Sequence, residues 1–354
     1  MFQTIPVYLR IVLSFGLSFA VAFLMTPPVK TFAEKIGAID VPDARRVHDH
    51  PIPRMGGIAI FIGFVLSVIV FVSFTPQIMG ILLGSLIIAV MGAVDDVVSL
   101  KPWAKLLGQI VAALVAIRCG VIFTVISNPN FLSYNTTIPI GSLALPLTVL
   151  WIVGCTNAVN LIDGLDGLAV GVSAISSFSM MIVSLFVADA NTTFILAALC
   201  GACVGFIPYN TTPAKIFMGD VGAQFLGFVL ATTSITGLFK LHTVITFIVP
   251  VLAMAIPLAD TVFAIVRRTL KGQSPFHADK GHFHHRLLAM GLSQKQAVAV
   301  LYGISALMGL IGVMLAGKNT LMRVVCIIAA FVVSLSVWLF VFRGNENLKK
   351  KKDE

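Results

Sequence analysis

The chain has 354 residues, of which 58% are hydrophobic and only 11% are charged, and its formal net charge at pH 7 is +9. Soluble globular domains carry about 25% charged residues, so this composition excludes a water-soluble globule. The mean hydropathy of +1.00 indicates an integral membrane protein.

Long apolar segments follow one another from the amino to the carboxyl terminus. A membrane-spanning helix needs about 20 apolar residues, and this length predicts about eleven spans: 8–28, 55–74, 78–94, 104–120, 143–158, 167–187, 192–208, 221–239, 242–266, 297–316 and 321–342. The first span is predicted to be an uncleaved helix that ends at Pro27-Pro28. The predicted fold is an all-α polytopic membrane protein, with a short extracytoplasmic β-hairpin considered near 121–142. Residues 1–342 are predicted to form a single integral-membrane catalytic domain, and 343–354 a basic cytosolic tail.

The basic residues indicate an orientation. If the amino terminus lies outside, the cytosolic segments hold 19 of the 24 Lys and Arg residues. The other five are Arg10, Arg118, Lys240, Lys318 and Arg323. This asymmetry is the positive-inside pattern, so we predict an outer amino terminus and a cytosolic carboxyl terminus. The basic cytosolic side also suits anionic lipids and anionic substrates.

Six carboxylates lie at or just inside the ends of predicted spans: Asp95, Asp96, Asp163, Asp166, Asp220 and Asp260. Charges in such positions are costly and are functional candidates by default. A group of carboxylates on one aqueous side suits Mg²⁺, which typically bridges one or two carboxylates to substrate phosphates.

The first polar segment begins with Asp95 and Asp96, and the second runs from Asn157 to Gly167 across the end of the predicted span 143–158. Asp95 and Asp96 repel each other and favour a cation or proton between them, although a solvated helix end would explain the pair equally well. Asn157, Asn160, Asp163 and Asp166 recur every three positions, which places them on one face of a tight helix or turn. A capped turn would explain one or two of these four residues, but not the whole series.

The third segment runs from Asn210 to Gly222, and the fourth is the loop from Arg267 to Lys295. Asn210 and Lys215 precede Asp220, which is interpreted either as a helix cap or as a metal ligand at a helix amino terminus that suits phosphate. The loop from Arg267 to Lys295 contains a histidine cluster, His282, His284 and His285. Zinc binding is one interpretation, but no thiolate accompanies the histidines. Donors that clamp a diphosphate fit a loop that also holds arginines.

These four segments, in this order and spacing, resemble the polyprenyl-phosphate N-acetylhexosamine-1-phosphate transferase superfamily over nearly the whole chain. The combination of Asn157–Asp166 with Phe217–Asp220 is the most specific part of the resemblance. Segments Pro42–His48, Pro53–Gly57 and His282–Leu287 are similar to the WecA/TagO-like branch, which uses UDP-N-acetylglucosamine. The more distant MraY branch has a His-His-His-Phe-Glu run that this chain lacks. Many relatives also carry a third carboxylate where this chain has Ser99, so Ser99 is not predicted to bind metal.

The resemblance implies an enzyme that transfers N-acetylglucosamine-1-phosphate from UDP-N-acetylglucosamine to undecaprenyl phosphate, releases UMP and uses Mg²⁺ or Mn²⁺. It would begin synthesis of a surface glycopolymer at the cytosolic face of the plasma membrane. The expected partners are the nucleotide sugar, the lipid phosphate and the membrane, with no nucleic acid; a homodimer is considered.

The predicted site residues fall into three groups. The predicted catalytic residues are Asp95, Asp96, Asp163, Asp166, Lys105, His282, His284 and His285. The predicted substrate-binding residues are Arg54, Asn157, Asn160, Asn210, Lys215, Arg267, Arg268 and Arg286. The predicted metal ligands are Asp220, supported by Asp95 and Asp96.

Three alternatives stay open at the level of sequence. The substrate could be another UDP-N-acetylhexosamine, or the chain could be a secondary transporter, although transporter sites lie near the bilayer midplane between repeats and no repeat is visible here. The chemistry could also be a double displacement through an aspartyl intermediate. We predict direct attack by the lipid phosphate, with Asp163 as the base that removes its last proton.

Overall fold

The computed structural model describes residues 6–42, 50–127, 137–187, 190–238, 244–273, 281–317 and 319–353. These residues form a helical bundle with one extended apolar core. The helices of the first half are α1 (Val7–Lys35), α2 (Gly57–Phe71), α3 (Pro76–Val98), α4 (Pro102–Arg118), α5 (Ala144–Ile162), α6 (Leu168–Val187) and α7 (Ala190–Asn210). Those of the second half are α8 (Gly219–Thr233), α9 (Val244–Ala253), α10 (Ala255–Leu270), α11 (Phe283–Ala289), α12 (Gln294–Ala316) and α13 (Thr320–Asp353).

Seven of the described helices are long and apolar enough to cross a membrane. They are α1, α3, α6, α7 and α12, α5 with the preceding turn from Gly141, and α13 as far as Val341. The other four predicted spans correspond to shorter helices, namely α2, α4, α8 and the pair α9 and α10. The chain is thus a multi-pass membrane protein by length and composition, and the eleven-span topology stays a prediction.

Two predicted helix boundaries are wrong. Helix α1 does not end at Pro27-Pro28 but continues to Lys35 with both prolines inside it. Its packing explains the continuation, because Gly63, Gly201 and Gly205 let α2 and α7 approach the α1 backbone too closely for a Cβ atom. Such neighbouring helices allow a membrane helix to tolerate proline.

The second error concerns the predicted span 242–266, which is divided at Met254 into α9 and α10. Pro250 and Pro257 flank the break. Each proline lacks the amide that an uninterrupted helix would use at that position. Pro257 lies in the first turn of α10, where a missing N–H costs nothing.

Two short antiparallel hairpins accompany the helices. Strands β3 (Val125–Ser127) and β4 (Thr137–Pro139) form the hairpin considered near 121–142. Strands β1 (Ile39–Asp40) and β2 (Ile52–Pro53) form a hairpin between α1 and α2 that the sequence did not predict. The chain after β2 is hydrogen-bonded to the segment before α8: Gly56 N donates to the Phe217 carbonyl at 2.9 Å, and Gly57 N donates to the Met218 carbonyl at 2.8 Å.

The start of α8 is wedged between α2 and α3. A Cβ atom at Gly57 would overlap the backbone of Gly222, and a Cβ atom at Gly92 would overlap the backbone of Val221. Small residues of this kind allow membrane helices to pack backbone against backbone. The close packing fixes the position of Asp220, the second residue of α8.

Candidate active site

A cavity of about 340 Å³ opens where α3, α5, α7 and α8 end or begin. Eight of the predicted site residues line it: Arg54, Asp96, Asn160, Asp163, Asp166, Asn210, Asp220 and His285. Asp40, Phe217 and Gln294 also contribute to the lining. Residues from the four predicted segments and from the neighbourhood of the β1–β2 hairpin therefore meet in one place.

Asp96 anchors the start of α8. Its Oδ1 accepts the amide of Asp220 at 3.1 Å, and its Oδ2 accepts the amide of Val221 at 3.3 Å. Gly219 has a φ of +72°, and a Cβ atom there would overlap the Asp96 carboxylate. The first amides of a helix have no partners within the helix, so Asp96 caps α8 from the end of α3.

The end of α3 and the start of α8 form an acidic wall with three carboxylates, those of Asp95, Asp96 and Asp220. Lys105 lies between Asp95 and Asp220. Its Nζ is 2.6 Å from Asp95 Oδ2 and 2.6 Å from Asp220 Oδ2. Asp95 Oδ1 also accepts the amide of Leu100 at 2.6 Å. Ser99, the position where relatives carry a third carboxylate, follows the last residue of α3 with a φ of 56°. The ammonium of Lys105 thus neutralises part of the charge of the acidic wall.

A chain of buried amides continues from Asp220 into the bundle. Gln224 Nε2 donates to Asp220 Oδ2 at 3.1 Å, and Gln109 Nε2 donates to Gln224 Oε1 at 2.9 Å. Asn157 Nδ2 donates to Gln109 Oε1 at 2.6 Å. The structure therefore places Asn157 in this chain and not on the cavity wall. Gln224 was not predicted, although a glutamine four residues after Asp220 on one helical face is the signal that could have indicated it.

The two oxygens of the Asp220 carboxylate have different contacts. Its Oδ2 accepts both the Lys105 ammonium and the Gln224 amide. No donor among the described residues contacts its Oδ1, and 23% of the side chain is exposed at the cavity. Asp220 is therefore held by one oxygen and presents the other.

Asp163 differs from the carboxylates of α3 and α8. It follows the last residue of α5, and no described residue donates a hydrogen bond to its carboxylate. Burial raises its pKa to about 8, with further increases from the charges of Asp220, Asp96 and Asp166. A carboxyl group with a pKa near neutrality can accept a proton during a reaction and release it afterwards.

Residues 163–167 between α5 and α6 form the Asp163 loop. Asp166 and Asn210 hold this loop in place. Asp166 Oδ2 accepts the amide of Ala214 at 3.1 Å. Asn210, at the end of α7, accepts the amide of Gly167 at 3.1 Å and donates to the carbonyl of Ile216 at 3.0 Å. Their side chains thus connect the loop after α5 with the segment before α8.

Arg54 supplies a cation to the cavity. Its Nε lies 3.9 Å from Asp96 Oδ1, and its Nη1 lies 3.9 Å from Asp40 Oδ1. The buried Nε has no hydrogen-bond partner among the described residues. An unsatisfied guanidinium donor facing a cavity suits a phosphate oxygen.

The three predicted histidines have different surroundings. His285 lines the cavity, whereas His282 and His284 are buried beside it. Burial lowers the pKa of His284 to about 4, helped by the charge of His285, so its imidazole is neutral at pH 7. Within the described residues, no three His, Cys, Asp or Glu side chains are grouped closely enough to hold a metal, which does not support the zinc interpretation.

The remaining predicted residues lie away from the lining. Lys215 and Arg286 are exposed, Arg267 packs against Gly281, and Arg268 is buried at the end of α10. Most of the motif Pro42–His48 lies outside the described residues, as do residues 274–280 of the histidine loop. These positions keep their predicted roles as predictions.

The donor set fits a Mg²⁺ ion of the kind predicted. Five carboxylates face the cavity, from Asp40, Asp96, Asp163, Asp166 and Asp220, against the guanidinium of Arg54. No three of these described side chains are grouped closely enough to hold a metal by themselves, and Asp220 Oδ1 is a carboxylate oxygen without a donor among the described residues. Mg²⁺ prefers oxygen ligands and completes its shell with water and substrate phosphates, so one or two such carboxylates suffice.

Comparison with known proteins gives several similar sequences. Residues 78–238 match the family described as Glycosyl transferase family 4. A Bacillus subtilis (strain 168) protein named "Probable undecaprenyl-phosphate N-acetylglucosaminyl 1-phosphate transferase" is 42% identical, over 87% of this chain and 85% of the relative. A Mycolicibacterium smegmatis protein named decaprenyl-phosphate N-acetylglucosaminephosphotransferase is 35% identical, over 90% and 87%. A Heliobacterium modesticaldum phospho-N-acetylmuramoyl-pentapeptide-transferase is 34% identical, over 75% and 83%.

Proposed function

Because the chain belongs to glycosyl transferase family 4, we propose that it transfers N-acetylglucosamine-1-phosphate from UDP-N-acetylglucosamine to undecaprenyl phosphate and releases UMP. One observation carries this proposal beyond the family. The donor-free Asp163 carboxylate, Asp220 Oδ1 and the unsatisfied Arg54 Nε belong to side chains that line the same cavity. Phosphoryl transfer needs charge neutralisation and positioning of this kind more than covalent help from the protein.

In this proposal the cation is held by Asp220, with Asp163 and Asp96 nearby. A Mg²⁺ ion held by these carboxylates would neutralise charge on the diphosphate. Lys105 orients Asp220 through its contact with Oδ2, and its charge partly offsets the burial that raises the pKa of Asp220 to about 6. Arg54 and His285 supply donors to phosphate oxygens from the cavity wall.

Asp163 acts as the general base. The lipid phosphate is an anionic oxygen nucleophile whose second pKa is near 6, so it needs orientation and the loss of one proton. The ionised Asp163 carboxylate, whose pKa of about 8 is above that of the phosphate, accepts that proton. The oxygen then attacks the sugar-linked phosphorus directly, and the bond to UMP breaks.

An apolar groove supports the proposal that the lipid chain binds beside the cavity. It has a volume of about 360 Å³ and lies between α10, α11 and α12, with Ile256, Leu287 and Leu301 in its wall and Arg286 as its cation. The polyprenyl tail occupies the apolar wall while Arg286 attracts the phosphate.

The site opens to the cytosolic face of the plasma membrane, in keeping with the positive-inside pattern. A reporter fused after Glu354 that is active only outside the cell would contradict this orientation.

The proposal is tested with purified protein in detergent and radiolabelled nucleotide sugars. With UDP-N-acetylglucosamine, undecaprenyl phosphate and Mg²⁺, we expect a labelled lipid and one equivalent of UMP. Parallel reactions contain UDP-N-acetylgalactosamine or UDP-N-acetylmuramoyl-pentapeptide. Preferential transfer from either alternative would replace the proposed substrate, and movement of an intact nucleotide sugar across vesicles without UMP release would support a transporter.

A further inference from the structure

Asp260 is a buried carboxylate for which the proposed reaction gives no role. It lies in the second turn of α10, only 2% exposed, outside the cavity lining. A charge buried this deeply is costly unless it is paired and hydrogen-bonded. Its contacts therefore indicate what it is for.

Both carboxylate oxygens of Asp260 contact the histidine segment. Oδ2 lies 2.7 Å from Nδ1 of His282, and Oδ1 accepts the amide of Phe283 at 2.8 Å. An ionised carboxylate only accepts hydrogen bonds, so this contact places a proton on Nδ1 of His282. Asp260 thereby fixes the ring of His282 and the first residue of α11 at once.

From His282 a series of ring contacts leads to the cavity. The rings of His282 and His284 are parallel within 3°, with centroids 5.8 Å apart, and those of His284 and His285 are 4.3 Å apart. His284 also packs on the Asp163 loop, because a Cβ atom at Gly164 would overlap its Nε2 edge. Of the three rings, His285 is the one that lines the cavity.

We propose that Asp260 is a positioning residue that acts through His282 to hold α11 against the Asp163 loop and present His285 to the diphosphate. This role rests on the proposed transferase activity. It assigns different tasks to the three histidines: His282 transmits the position set by Asp260, His284 is the neutral packing surface on Gly164, and His285 contacts the substrate.

The role depends on the Nδ1–H of His282 and not on proton transfer by that ring. In His282→Asn the amide nitrogen occupies the place of Nδ1 and can still donate to Asp260, whereas His282→Ala leaves the carboxylate without its donor. A ring that transfers protons during catalysis would lose its function equally in both variants.

The experiment measures kcat and KM for His282→Ala, His282→Asn, Asp260→Asn and the double variant Asp260→Asn/His282→Ala. We expect His282→Ala to lower kcat by at least about tenfold and His282→Asn to recover most of that loss, with KM for the nucleotide sugar changed less than kcat. Contacting residues couple by between about 2-fold and 150-fold, so the double variant should be little worse than His282→Ala alone. Likewise, Asp260→Asn should add little to His285→Ala.

Thr261→Val is the matched control, because Thr261 is adjacent to Asp260 and its Oγ1 is buried without a hydrogen-bond partner in the described structure. It should keep wild-type kinetics. If His282→Asn is as inactive as His282→Ala, or if the losses from Asp260 and His282 multiply, the positioning role is wrong. Should Asp260→Asn fail to fold in size-exclusion chromatography, the His282 pair still decides. Absence of transfer by the wild type would instead refute the proposed function.

Discussion

The carboxylates on the two walls of the cavity differ in the hydrogen bonds that they accept. On the wall of α3 and α8, Asp95, Asp96 and Asp220 accept hydrogen bonds from backbone amides, Lys105 or Gln224. At the end of α5, Asp163 receives no hydrogen bond from any described residue. Donors fix the carboxylates of the first wall, which we call the held wall. The second, the available wall, carries Asp163, whose carboxylate has no donor and can exchange a proton.

This difference separates positioning from reaction. Hydrogen-bond donors fix the geometry of Asp96 and Asp220, although burial still raises the pKa of Asp220 to about 6. Asp163 has no donor that fixes it, and burial favours its protonated form. The acidic wall therefore keeps a fixed geometry for the cation and the diphosphate. Asp163, whose pKa is raised to about 8, is suited to exchange a proton.

The largest effect is expected on the held wall. Asp220→Asn should remove detectable turnover, because a neutral side chain is a poor Mg²⁺ ligand and the cation stabilises the reacting phosphate by several kcal/mol. The fold should survive, since an amide can still accept from Lys105. Turnover and Mn²⁺ binding, followed by electron paramagnetic resonance, are both measured. Near-normal turnover at limiting Mg²⁺ would mean that Asp220 only orders the start of α8.

Asp163→Asn tests the available wall and should lower kcat by about 1,000-fold, within the range typical of a lost general base. Mn²⁺ binding should change much less than in Asp220→Asn. A direct displacement also forbids exchange of labelled UMP into UDP-N-acetylglucosamine when no lipid is present. Exchange in rigorously delipidated wild-type protein that disappears in Asp163→Asn would support an aspartyl intermediate instead.

The pH dependence sharpens the same point with a smaller effect. The folded pKa of Asp163 is about 8, above its ordinary value of 3.8, so most of the carboxyl is protonated at pH 7. The base must be deprotonated while the lipid phosphate, whose second pKa is near 6, must still carry the proton, so kcat/KM at limiting Mg²⁺ should rise up to about pH 6, stay level to about pH 8 and fall about tenfold per pH unit above it. The fall above pH 8 should be absent from the residual activity of Asp163→Asn. A midpoint near pH 4 in the wild type would contradict the raised pKa.

The smallest effect is expected at Gln224, which lies behind the held wall. Gln224→Met removes the second donor to Asp220 Oδ2 while keeping the side-chain volume. The amide is one of two donors to this oxygen and Lys105 remains in place, so its loss should cost about 1 kcal/mol and lower kcat about fivefold. A loss as large as that of Asp220→Asn would show that the amide chain, and not Lys105, orients the carboxylate.

The sequence was informative where local spacing determines structure. Apolar runs predicted a helix in each of the eleven segments, and the three-residue spacing brought Asn160, Asp163 and Asp166 to one cavity. The interruption at Met254 was missed, since the length criterion ignores the two prolines that flank it. Helix α1 continued past Pro27-Pro28 because of packing against α2 and α7, which no local rule contains.

Apart from the contact of Gln224 with Asp220 on one helix, the contacts that sequence reasoning missed are between distant segments. Asp260 and His282 are 22 residues apart, and Lys105 and Asp220 are 115 residues apart. The sequence identified Asp220 and Asp260 as carboxylates at the ends of predicted membrane spans. Their pairing depends on which helices become neighbours, and one sequence gives no information on that.

The glycine contacts around α8 have a consequence for motion. Gly57, Gly92 and Gly222 leave no free volume in which the start of α8 could slide, and closely packed elements deform little. We expect the displacement that admits a nucleotide sugar and releases UMP on the opposite side, because α11 is held there by side-chain contacts, those of Asp260 with His282 and of His284 with Gly164, and not by backbone packing. In hydrogen–deuterium exchange, we expect the amides of Asp220 and Val221 to exchange slowly with and without UMP, and those of α11 to become protected when UMP binds. The start of α8 would then stay fixed during turnover while α11 moves.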